Sequence, residues 1–94
     1  MERTNVDYLQ QIFDDHDIKP DTEVGFDYEL DKKVTAYDLL MDFANLEHRE
    51  QNVAMCDVLV ASCFGSTRQE MLNKLFDAYH TIKKINRLKG DSNA

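Results

Sequence analysis

The chain is poor in residues that break or bend a backbone. It holds three glycines and one proline in 94 residues. A β-sandwich or barrel of this length needs more turn formers, so the composition argues for helix. Long apolar runs are also missing. None approaches the roughly 18 apolar residues of a membrane-spanning helix. The longest, Val53 to Phe64, is shorter and is interrupted by Asp57. The first twenty residues contain no basic stretch leading into an apolar one, so no secretory signal is expected. Cysteine occurs only at Cys56 and Cys63. On one helix these lie two turns apart, roughly 10 Å along the axis. That exceeds the reach of a disulfide within one chain. Both read as reduced thiols, which suits a cytoplasmic protein.

Positive charge is scarce too. Eleven Lys and Arg face eighteen Asp and Glu, a formal net charge of −7. Direct nucleic-acid binding and attachment to an anionic membrane are both disfavoured by this balance. A basic protein partner is favoured. What remains is 43% hydrophobic and 31% charged, the composition of a folded globular chain. The length suits a single helical domain over residues 1–90, with a frayed tail at 91–94.

Hydrophobic periodicity predicts a first helix from Met1 to Asp17, capped by Thr4 or Asn5. Val6, Leu9, Ile12 and Phe13 form its apolar stripe. Val24, Phe26, Tyr28 and Leu30 then alternate with Gly25, Asp27 and Glu29. That pattern fits a half-buried strand near 23–30 or an extended loop over a helical core, and no convincing second strand follows. Thr35 and Asp38 have capping-box spacing and open the next helix. Its continuation is ambiguous, because residues 47–52 are entirely polar yet lack glycine and proline. A single helix over 36–64 would be roughly 43 Å long. Gly65 ends the helical stretch, Thr67 and Glu70 form a further capping box, and a last helix runs to about Lys89, with Gly90 as its stop. Its apolar residues cover half its circumference. The fold class is therefore mainly α, a bundle of three to four helices with a short extended segment.

No constellation for chemistry stands out. His16, His48 and His80 share no ligand spacing, and no metal or cofactor site is expected. Asp14, Asp15, Asp17 and Asp21 fail as a calcium loop, because Lys19 takes a ligand position and the turn glycine is missing. No phosphate loop or nucleophile–base pair is present, so the chain does not read as an enzyme. Tyr8, Tyr28, Tyr37 and Tyr79 are candidates to line a ligand pocket in an oligomer, holding an anionic small molecule together with Lys32, Lys33 or the basic C-terminal turn.

Charge distribution says more. The acids concentrate between Asp7 and Asp31. Asp14, Asp15, Asp17, Asp27, Glu29 and Asp31 are the candidate partner-binding residues, an acidic surface that competes with nucleic acid for a basic protein. Bacteriophages and mobile elements carry compact acidic proteins of this kind, which gives the inhibitory reading its analogy. Asp57 lies in a stretch apolar nearly all round, and a buried carboxylate needs a cation or several donors. Asp57, Leu75, Tyr79 and Ile82 are the candidate interface of a homodimer or higher oligomer, with Lys74 or Arg68 as the partner of Asp57. A homo-oligomeric assembly subunit and a ligand-sequestering oligomer are the competing functions.

Overall fold

The computed structural model describes residues 4–63 and 67–92. Among these residues, four helices surround a core flanked by one antiparallel hairpin. They follow the order α1 (Asn5–Asp15), β1 (Glu23–Asp27), β2 (Lys32–Thr35), α2 (Ala36–Ala44), α3 (His48–Cys63) and α4 (Arg68–Ser92). The mainly-α class implied by composition is the class observed.

Each helix start that has sequence capping chemistry uses it. The Asp7 amide donates to Thr4 Oγ1 while the Asp7 carboxylate accepts from the Thr4 amide, and Thr35 and Asp38 repeat the arrangement. The Glu70 amide likewise donates to Thr67 Oγ1 at 3.2 Å. Gly65, the expected stop before it, lies outside the described residues. The expected stop at Gly90 is not observed: α4 continues through it to Ser92.

The first helix closes at Asp15, short of the expected Asp17, and the reason is local. The Asp17 amide donates to the Asp14 carbonyl at 3.2 Å and the Ile18 amide to the Phe13 carbonyl at 2.8 Å. Asp17 takes a left-handed φ of 54°. This is a Schellman closure with aspartate where glycine is usual, and Ile18 is buried beside Phe13 in the core. The chain then crosses to α2, where the Tyr37 amide donates to the Pro20 carbonyl and the Ala36 amide to the Thr22 carbonyl.

A second strand does exist, contrary to the expectation from sequence. Lys32–Thr35 pairs with β1, aligning Gly25 with Val34, Phe26 with Lys33 and Asp27 with Lys32. The register shifts between Glu23 and Gly25. Such a bulge changes which side chains face inward. Val24 and Asp27 are therefore the buried positions of β1, while Tyr28 and Leu30 sit exposed in the turn. Gly25 admits the Phe76 ring: a Cβ there would lie 2.5 Å from Phe76 Cδ1.

Residues 36–63 form two helices rather than one. The Leu46 amide turns back to the Phe43 carbonyl, and Gln51 completes the break. Its buried Nε2 donates to the carbonyls of Phe43 at 3.3 Å and Leu46 at 3.1 Å, satisfying groups a continued helix would have paired. The polar block 47–52 thus contains the residue that caps α2.

The long last helix packs on α2, α3 and β1. Met71, Leu75 and Ile82 on its inner face are among the most deeply buried side chains of the molecule. Its wide apolar face is covered within one chain. A dimer interface through Leu75, Tyr79 and Ile82 would have to open this core, so the geometric reason for placing an interface there disappears.

Candidate functional site

Two parts of the surface carry concentrated charge. The first is the surface formed by the C-terminal turn of α1 and the loop to β1. Asp14, Asp15, Asp17 and Asp21 are all exposed there. Gln10 and Gln11 donate to Asp14 and Asp15 at 3.2 and 2.8 Å. Lys19 pairs with Asp17 at 3.2 Å and is the only Lys or Arg between Asp14 and Glu23. The last turn of α1 holds no base. Carboxylates at the negative end of a helix cost about 0.3–1 kcal/mol each, and a non-glycine residue in the left-handed region adds strain at Asp17. Neither the helix dipole nor the backbone conformation at Asp17 accounts for these acids.

The second lies where the hairpin meets α4. Asp27, only 3% exposed, accepts from Tyr79 Oη at 2.5 Å and Lys83 Nζ at 3.0 Å. Its other oxygen accepts the amides of Glu29 and Leu30 at 3.0 and 3.1 Å and shapes the turn. The Tyr79 hydroxyl and the Lys83 ammonium hold the Asp27 carboxyl well below the usual range. Burial, then the Asp27 carboxylate, pushes the Tyr79 phenol up. Glu29 accepts from Lys83 at 2.8 Å and Arg87 at 3.3 Å, and its pKa is lowered by the same two cations, Lys83 first. Beside this latch runs a groove of about 580 Å³, walled by Phe26 and Tyr28 from the hairpin and by Phe76 and His80 from α4, with Lys84 and Arg87 at its rim. The two walls carry close ring pairs, Phe26–Tyr28 at 4.8 Å and Phe76–His80 at 4.4 Å.

The sequence candidates therefore separate. Asp14, Asp15, Asp17 and Asp31 are exposed. Asp27 is not: it is a buried anchor and unavailable to a partner, because the bulge in β1 turns it inward. Glu29 is exposed but engaged by Lys83 and Arg87. Asp57 is exposed rather than buried. The inner face of α3 is built from Gln51, Ala54, Met55, Val58 and Ala61, leaving Val53, Leu59, Val60 and Asp57 outward. No Asp57 ion pair with Lys74 or Arg68 occurs among the described residues. Those residues also contain no cluster of three or more potential metal ligands, and no helix among them is long and apolar enough to cross a membrane. The Asp27–Tyr79–Lys83 latch was missed from sequence, since its members lie 52 and 56 residues apart. No family model matches the chain, and neither does any curated protein or solved structure compared with it.

Proposed function

We propose that this chain is a small acidic regulatory protein that docks on a basic macromolecular surface and, in the inhibitory form of the reading, occupies a surface that otherwise holds nucleic acid. The docking face is the surface carrying Asp14, Asp15, Asp17 and Asp21; Asp31 extends the exposed acidic set on the hairpin turn. One observation carries the reading. Exposed acids sit at the helix terminus that least tolerates them, with Lys19 as the only neighbouring base in sequence. Residues kept against local preference mark places where another requirement acts.

The test separates stability from binding. Asp14→Lys combined with Asp15→Lys places cations where the α1 dipole favours them, so the variant melts at a higher temperature than the natural chain. Capture from cell lysate at about 0.1 M salt, where exposed charges still act over ~10 Å, yields a basic nucleic-acid-handling protein with the natural chain and loses it with the variant. Added nucleic acid competes for the captured protein. A partner retained equally by the charge-reversed variant refutes the proposal.

A second reading rests on a different observation. Tyr8, Val53, Leu59 and Val60 present an exposed apolar face on α1 and α3, which suits a self-assembling subunit. Sedimentation distinguishes it: a monomer near 11.0 kDa at tens of micromolar excludes it.

A further inference from the structure

We infer that the groove between the hairpin turn and α4 binds a planar aromatic anion of mononucleotide size. This site is separate from the acidic docking face and does not depend on it. Its volume, about 580 Å³, falls within the size range of small-molecule sites. Its walls are held before any ligand arrives. Four hydrogen bonds to Asp27 fix the hairpin turn, and the Phe76 ring lies flush on the backbone at Gly25. Preorganisation of this kind lowers the entropic cost of binding.

Ring recognition comes from the two walls. Tyr28 is 86% exposed, an aromatic face that the fold itself does not cover. Phe26 lies beside it, and Phe76 stands with His80 across the groove. Stacking on such faces tolerates many planar rings.

Charge decides the rest. The lining holds three bases, Lys83, Lys84 and Arg87, against Asp27 and Glu29, in a chain whose net charge is −7. Lys83 is committed to both acids. Lys84 has no ion-pair partner among the described residues, and Arg87 holds Glu29 through a longer, exposed contact. A phosphate or carboxylate at the rim meets the Lys84 ammonium and draws the Arg87 guanidinium from Glu29, a planar donor suited to such groups. The acidic remainder of the chain, net −7 overall, repels a long polyanion that extends beyond the groove. The groove thus fits a small anion and not a nucleic-acid strand.

The experiment titrates the full isotopically labelled chain with adenosine 5′-monophosphate, with adenosine and inorganic phosphate as separate probes. The monophosphate gives saturable NMR shifts confined to residues 26–29 and 76–88, and each fragment binds more weakly. Tyr28→Ala and Lys84→Glu alter exposed side chains and leave the fold intact. Each weakens binding roughly tenfold, the loss expected from one stacking or one charged contact. Absence of saturable shifts by ~10 mM overturns the inference. So do unchanged affinities in both variants, or inorganic phosphate binding as tightly as the monophosphate.

Discussion

Tyr79→Phe removes one hydroxyl and leaves the ring packing of α4 in place. In the natural chain that hydroxyl is buried and donates to the Asp27 carboxylate at 2.5 Å. A hydrogen bond to a charged acceptor contributes about 1.5–3 kcal/mol net. Asp27 keeps Lys83 and two backbone donors in the variant, so the loss belongs at the lower end, about 1.5–2 kcal/mol. For a domain of this size that lowers Tm by about 6–16 °C. The pH dependence has a definite sign. Asp27 has a folded pKa below its unfolded value, so its contribution is complete above the ordinary carboxylate range and is lost as pH falls through the depressed value. Tyr79 has a folded pKa above its ordinary value of 10.0, so the neutral phenol's contribution is present below that and lost as pH rises beyond it. The gap between natural chain and variant is therefore widest from about pH 5 to pH 9 and closes toward both extremes. Urea unfolding followed by circular dichroism across that range measures it. A gap under about 0.5 kcal/mol at pH 7, which is the scatter of ordinary surface substitutions, would show that the latch does not hold the hairpin to α4.

Three further substitutions probe separate joints. Gly25→Ala drives a Cβ into the Phe76 ring and destabilises by about 1–3 kcal/mol; an unchanged urea midpoint refutes the close approach. Gln51→Ala takes the side-chain donor from the Leu46 carbonyl and leaves the Phe43 carbonyl with backbone donors alone; it costs about 1–3 kcal/mol, with faster amide exchange at the α2–α3 junction as its local signature. Asp17→Gly relieves the left-handed strain at the end of α1 and raises stability by about 1 kcal/mol; a lower Tm would mean that the Asp17 carboxylate supports the closure.

Local chemistry was legible in the sequence and long-range chemistry was not. The capping pairs Thr4–Asp7, Thr35–Asp38 and Thr67–Glu70 act over three residues, so spacing alone reveals them. Leu9, Ile12 and Phe13 repeat at helical period because one face of α1 meets the core. Lys32–Thr35 hid its strand character because only Val34 is apolar and both lysines point outward. The bulge beside Val24 was equally silent, and it reverses which face of β1 is buried. Asp27 therefore looked like a surface acid. Asp57 erred in the opposite direction: an apolar neighbourhood suggested burial, but Val53, Leu59 and Val60 are themselves exposed.

These two reversals sharpen the functional argument. Once Asp27 and Glu29 are assigned to Lys83 and Arg87, the acids of the N-terminal half no longer form one continuous surface. Part of them neutralises the basic C-terminal half of α4 and stabilises the fold. The part left over, Asp14, Asp15, Asp17 and Asp21, lies at or beyond a helix end whose dipole disfavours acids, with only the exposed contacts from Gln10, Gln11 and Lys19 to offset it. A solubilising role alone does not require acids at that terminus, because charge spread over any exposed helix face serves solubility equally well. The proposed docking role does require acids at that fixed place. The hydrogen bonds from Ile18, Ala36 and Tyr37 hold that end in one geometry relative to α2, as recognition of a specific basic surface demands.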